Sequence, residues 1–389
     1  MEMKSAVIVD AVRTPIGKRN GALSDWHPAD LLGEVFTALQ RRSDLDPELI
    51  DDVITGCVMQ VGEQSMNIAR SAVLGAGWPA TVPGTTVDRQ CGSGQQALHF
   101  AAQGVMAGVY DVVVASGVEV MSRVPLGSSI LEGRFGMPFG PRVGARYEIE
   151  GGLVPEGVSA ELIAGKWGLT REALDVFSSE SHARAHQATE EGRFDSEIVP
   201  VVASNGLLLD KDEGIRADAT VGSLGALKPS FVDDGRVTAG NSSQSSDGAS
   251  AVLVMSEVRA VELGLRPRAR FCGFGLAGAD PRLMLTAHIP ATRRLLDRVG
   301  LEIDDIDLFE VNETFASVVL AWEKETRPEM ELVNVNGGAI ALGHPLGCSG
   351  TRLMVTLLNE LERRDGRYGM QIMSESGGMA NATIIERLG

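Results

Sequence analysis

The chain has 389 residues, 44% hydrophobic and 22% charged, with a formal net charge of −17. This is ordinary globular usage, long enough for two or three domains, and the acidic balance argues against nucleic-acid backbones or an anionic membrane as the main partner. The longest apolar runs, such as Asp111-Val112-Val113-Val114-Ala115, fall far below the roughly 18 residues that span a bilayer, and the four cysteines (Cys57, Cys91, Cys272, Cys348) show neither metal-ligand nor disulfide spacing.

In chain order, a strand begins almost at once, at Ala6-Val7-Ile8-Val9, with no room before it for a signal peptide. A reduced, cytoplasmic location is therefore expected. Leu45–Ile54 reads as an acidic turn entering a strand. Val87-Asp88-Arg89-Gln90-Cys91-Gly92-Ser93-Gly94 then reads as a strand exit, a small-residue turn and the start of a helix. At a helix N-terminus, unpaired N–H groups and the dipole favour a thiolate and lower a thiol pKa of about 8.5. Cys91 is thus a candidate nucleophile, set against the plainer reading of a small buried apolar residue.

From about residue 121 to 246 the pattern changes to a stretch rich in glycine, proline and charge, with a helical portion near Ala160 to Ala188. Its strand runs are few, so it reads as an inserted loop domain over the active site; Val252 to Arg270 returns to the first core. Leu301–Glu310 then echoes Leu45–Ile54 at a displacement of 256 positions (301 from 45), and the same displacement carries Ser93-Gly94 onto Ser349-Gly350. A duplicated unit is predicted, each copy running helix, acidic turn, strand, glycine-rich turn, helix and strand, which is a mixed α/β layer pattern.

The second copy carries two more candidates. The strand Leu308–Val311 delivers Asn312, whose neutral amide can hold a water or a carbonyl. His344 is pinned between Gly343 and Pro345, so a fixed backbone aims its ring for proton transfer. Singly, each is more often structural; Cys, Asn and His on one chain carry the argument. No phosphate-binding or dinucleotide glycine motif accompanies a strand and helix, so ATP or NAD chemistry has no support.

The Cys91 segment, Asn312-Glu313-Thr314-Phe315-Ala316, Gly343-His344-Pro345 and Gly377-Gly378-Met379 resemble the four active-site loops of thiolases, the acetyl-CoA acyltransferases, and the similarity runs from Ala6 to the last residues. The resemblance implies a duplicated α/β/α layered core: residues 1–120 with 247–268, an inserted coenzyme A-binding loop domain at 121–246, and 269–389. It implies acyl transfer through a thioester on Cys91, with 3-oxoacyl-CoA cleaved to acetyl-CoA and a shortened acyl-CoA, or the reverse Claisen condensation, in lipid metabolism. No permanently bound cofactor and no metal are expected; coenzyme A and acyl-CoA are substrates. By the same resemblance, His344 activates Cys91 and, with a water on Asn312, stabilises one oxyanion, while the backbone N–H groups of Cys91 and Ser376 form a second oxyanion hole. Arg216 and Ser223 look like contacts to the nucleotide end of coenzyme A, Phe231 and Phe315 to the pantetheine, and Ser243 to its amide. A homodimer or homotetramer is expected, helped by apolar segments such as Gly127–Leu131.

One departure falls at a functional position. Where thiolases carry a second, acid/base cysteine this chain has Ser374, and Ser376 replaces a glycine whose loss could restrict the oxyanion-hole backbone. Glu375 would substitute for that cysteine if it pointed inward, but it reads by preference as an exposed loop carboxylate. A poor thiolase is expected, and two other readings stand beside it: another acyl-transfer or condensing enzyme of the superfamily, or a catalytically impaired acyl-CoA-binding subunit.

Overall fold

The computed structural model describes residues 4–148 and 152–389. In chain order its elements are β1 (Ala6–Arg13), β2 (Gly17–Lys18), α1 (Pro28–Ser43), β3 (Asp52–Gly56), α2 (Ile68–Gly75), β4 (Thr85–Val87), α3 (Ser93–Met106) and β5 (Val112–Val120). The insertion adds α4 (Pro141–Glu148), α5 (Glu156–Lys166), α6 (Arg171–Glu190), the short pair β6 (Val201–Val202) and β7 (Leu208–Leu209), and α7 (Val221–Gly225). There follow β8 (Ser246–Ser256), α8 (Glu257–Glu262), β9 (Ala269–Gly278), α9 (His288–Val299), β10 (Leu308–Val311), α10 (Ala316–Thr326), α11 (Ala339–Leu342), α12 (Leu346–Arg364), β11 (Tyr368–Glu375) and β12 (Met379–Arg387).

The repeat is visible in the strands. β10 begins 256 positions after β3 (308 from 52), and β11 begins 256 after β5 (368 from 112). One continuous sheet runs β10-β11-β12-β9-β1-β8-β5-β3-β4. Outward from the central antiparallel pair β1–β9, each half repeats antiparallel, antiparallel, parallel: β1, β8, β5, β3 on one side and β9, β12, β11, β10 on the other. β5 and β8 are buried along their whole length, as strands covered on both faces must be.

Helices form the layers. α1 starts with Pro28 behind the His27 cap and buries Leu31, Leu32, Val35, Phe36 and Leu39 at helical spacing against an outer core with β1 and β8 residues. α9 covers the second half in the same way through Leu295 and Leu296. α3 and α12 lie between the halves, sharing a core through Ala97, Leu98, Ala101, Met354, Leu357 and Leu358. They cross closely because they start on glycines: a Cβ at Gly94 would come within 2.6 Å of Gly347 O, and one at Gly350 would overlap Gln95 N. This crossing brings the start of one helix, with Cys91, to the start of the other, with His344.

The helical portion expected near 160–188 is two helices, α5 and α6, because Gly168 turns with φ +61° and Thr170 caps a new helix through Ala173 N. The insertion is tied to the core by Arg13, which is buried and hydrogen-bonds Glu197 (2.6 Å) and Asp212 (2.7 and 3.0 Å).

Candidate active site

Cys91 lies in a tight turn between β4 and α3. Gln90, just before it, holds φ +48°, and the turn is closed by Gly92 N to Arg89 O (3.1 Å), Ser93 Oγ to Gln90 O (2.6 Å) and Arg89 N to Ser93 Oγ (2.9 Å). A non-glycine residue in the left-handed region costs about 1–3 kcal/mol and persists only where the surroundings over-determine it. The side chain is 3% exposed.

The expectation of a lowered thiol pKa is overturned. Burial pushes the Cys91 thiol well above its ordinary value, the Glu156 and Glu375 carboxylates push it further wherever they are ionised, and the backbone N–H groups of Cys91 and Ser376 only partly oppose this. The helix dipole loses above all because an apolar setting, with Met59, Met121, Leu346 and Met373 around the sulfur, outweighs it. Cys91 rests as a neutral thiol and needs a base.

His344 is a candidate for that base. Burial, then the Arg352 charge, push its pKa down to about 3, so the ring is neutral. Ser349 Oγ donates to Pro345 O (2.9 Å) and so accepts from Nδ1–H of His344 (2.6 Å), which assigns the tautomer and leaves Nε2 as the unprotonated nitrogen. Gly343 makes the approach possible: it has φ +111°, and a Cβ there would overlap Ser246 Oγ. Asn312 follows β10, donates from Nδ2 to Thr314 Oγ1 (2.8 Å), and has the same nitrogen 3.5 Å from His344 Nε2. Its Oδ1 is buried with no protein partner, a free acceptor.

Ser374 is 2% exposed in β11, opposite Ala380, with an unpartnered Oγ. Glu375, expected as an exposed loop carboxylate, is fully buried. It shares a strand face with Met373, and its carboxylate sits on Gly92, where a Cβ would overlap Oε1. Burial raises its pKa to about 8. The backbone restriction expected of Ser376 is also absent: the positive φ values of this hairpin fall on Gly377 and Gly378 (both +81°), and the Ser376 hydroxyl instead donates to the Glu156 carboxylate.

A cavity of about 410 Å³ opens above these residues, lined by Glu156, Phe231, Ser243, Phe315, His344 and Ser376 among others. Phe231 packs edge-on against Phe315 (centroids 5.9 Å apart) and lies over Gly157, so one aromatic wall continues into α5. Ser243 N donates to Thr314 O (2.9 Å), holding the insertion's return segment against the Asn312 loop. Arg216 and Ser223 lie outside this lining and are exposed; Arg216 N donates to His182 Nδ1 (3.1 Å), and Ser223 closes a capping box with Thr220 at the start of α7.

Two residues at the site were not singled out in the sequence. Glu119, fully buried in β5, accepts from Val58 N (2.9 Å), Met59 N (3.1 Å), Gln64 Nε2 (2.6 Å) and Gly347 N (2.9 Å), and so locks the start of α12 to the first half. A lone glutamate in the apolar run Val112–Val120 was its signal. Glu156 had none, being one acid in a charged insertion.

Comparison with known proteins agrees with this geometry. The thiolase N-terminal domain matches residues 6–258 and the thiolase C-terminal domain residues 265–387. The chain is similar to the steroid 3-ketoacyl-CoA thiolase FadA6 of Mycobacterium tuberculosis, 50% identical over 389 residues and covering 99% of this chain and 95% of that protein. It is 44% identical to a 3-ketoacyl-CoA thiolase of Photobacterium profundum, over 99% and 100% of the two chains. The crystal structure of the Bacillus anthracis acetyl-CoA acetyltransferase superposes with a TM-score of 0.91 at 40% identity, each chain covered completely. A duplicated layered α/β core with this set of loops defines an acyltransferase of the thiolase type. The chain belongs to the thiolase family.

Proposed function

We propose that this enzyme performs thiolase chemistry through an acyl thioester on Cys91, in the degradative direction on 3-oxoacyl-CoA esters of lipid or steroid side-chain origin. The observation that supports it most is the pairing of a neutral buried thiol with a neutral, tautomer-locked imidazole whose Nε2 is unprotonated and carries one long contact, from Asn312 Nδ2 (3.5 Å). His344 Nε2 takes the Cys91 proton, and the thiolate adds to the C3 carbonyl. The C2–C3 bond breaks, acetyl-CoA leaves as its enolate, and coenzyme A then collects the acyl group. The protonated His344, with a water on Asn312 Oδ1, is placed to stabilise the acetyl thioester oxygen. The N–H groups of Cys91 and Ser376 would receive the acyl-enzyme oxygen; each such donor is worth about 10²–10³ in rate.

The Phe231–Phe315 wall suits the mostly apolar pantetheine and Ser243 its amide, while the exposed Arg216 and Ser223 suit the nucleotide end. Residues 121–246 would then be the coenzyme A-binding insertion between core halves 1–120 with 247–268 and 269–389. The relatives' names support the substrate class. No helix among the described residues is long and apolar enough to cross a membrane, in keeping with a cytoplasmic enzyme. The test is intact mass after incubation with an acyl-CoA: an acyl adduct mapped to Cys91 and abolished by Cys91→Ala is expected. Thiolysis that survives Cys91→Ala would sink the assignment.

A further inference from the structure

Of the residues lining the cavity, two are ionisable: His344 and Glu156. Glu156 opens α5, and its carboxylate accepts the hydroxyl hydrogen bond of Ser376, whose own backbone N–H is directed at the Cys91 sulfur. Carboxylate, hydroxyl, amide and thiol thus run in sequence from the cavity lining to the buried Cys91 behind it. Two neighbouring groups are poorer candidates: Ser374 carries a hydroxyl, a far weaker acid than a thiol, and Glu375 lies beneath Gly92, outside the lining. Burial raises the pKa of the Glu156 carboxyl from its ordinary value, partly opposed by the Ser376 hydrogen bond, which favours the proton-carrying form.

We propose that Glu156 is the proton-transferring residue of this enzyme, facing the substrate from α5 in place of the thiol that Ser374 does not supply. This rests on the reading of Cys91 as the acylated residue. When the C2–C3 bond breaks, its electron pair passes to C2 as the acetyl-CoA enolate. The Glu156 carboxyl donates its proton to C2 and becomes a carboxylate, and acetyl-CoA leaves. The incoming coenzyme A thiol gives its proton to that carboxylate as its sulfur attacks the Cys91 thioester. Cys91 departs as a thiolate and recovers its own proton from His344. Each turnover returns Glu156 to its starting form, and no further reagent is needed.

Glu156→Gln keeps the size of the side chain and an acceptor for the Ser376 hydroxyl but cannot carry the proton. Three rates separate the possibilities: acetyl-Cys91 formation from acetyl-CoA by intact mass, deuterium uptake at C2 of acetyl-CoA in heavy water, and thiolysis. In Glu156→Gln, deuterium uptake and thiolysis should fall by about 10²–10⁴ while acetyl-Cys91 formation changes by less than about threefold. Glu156→Asp should recover part of the uptake, and Glu156→Gln with Ser374→Cys should restore it, since a thiol then returns to the family's position. Uptake in Glu156→Gln within about threefold of the unaltered protein overturns the proposal. So does an equal loss of acylation and uptake, the signature of a residue that only shapes the surroundings of Cys91. Failure of the unaltered protein to form acetyl-Cys91 would instead strike the underlying reading of the nucleophile.

Discussion

At the scale of single residues, the thiol and the imidazole define what each substitution should do. Because burial above all holds Cys91 neutral, the helix terminus by itself does not supply a thiolate, and the proposed base is His344. His344→Ala should therefore slow acetyl-Cys91 formation by about 10²–10⁴, followed by stopped mass measurement, whereas a dipole-activated thiol would have kept most of its reactivity. Ser374→Cys should raise thiolysis by about tenfold or more and leave acylation nearly unchanged, because a thiol can be tuned toward neutrality and a hydroxyl cannot. Unchanged or lower thiolysis in that variant would mean that a thiol at this position does not reach the reacting carbon. The Cys91, Asn312 and His344 segments were readable as motifs. The rise in the Cys91 pKa was not, since Glu156 lies 65 positions away in sequence (156 from 91) and Glu375 lies 284 away (375 from 91).

Among secondary-structure elements, the crossing of α3 and α12 does most to assemble the site. Gly350→Ala would drive a Cβ into Gln95 N and force the helices apart, at a cost of about 1–3 kcal/mol. Urea unfolding should show the lost stability, and acylation should fall with it because the two helix starts carry the reacting groups. Strand β11 makes a second prediction. Glu375 holds its proton up to about pH 8 when folded, against an ordinary value of 4.5, so the folded state binds more protons between those limits. Its contribution to stability is full below about 4.5 and is lost as pH rises through 8. Melting temperature should therefore decline less between pH 5 and 8 in Glu375→Gln than in the unaltered protein, as read by calorimetry across that window; an identical decline would remove Glu375 from the account. The strand and helix order of the two halves follows from hydrophobic period and turn residues, and both were readable. The break between α5 and α6 was not anticipated, although Gly168 and Thr170 are a stop and a cap in plain sight.

For the molecule as a whole, the insertion leaves large apolar side chains uncovered: Leu126, Phe135, Met137 and Phe139 are each at least 60% exposed. Exposed apolar side chains in this number within one segment point to association. Light scattering is expected to give at least twice the 41.2 kDa of one chain, and polar replacement of Phe135 and Phe139 together should shift that mass downward. A mass near one chain for the unaltered protein would refute association.

The duplicated architecture, the three loops that carry Cys91, Asn312 and His344, and the missing second thiol at Ser374 are all properties of the chain's order, because period, turn chemistry and motif spacing are local. The charge state of Cys91, the unprotonated Nε2 of His344, the burial of Glu375 and the arrival of Glu156 in the cavity are not. They arise where segments distant in sequence share one low-dielectric space, and a pKa or a hydrogen-bond tautomer is set by whatever lies within a few ångströms in space, whatever its place along the chain.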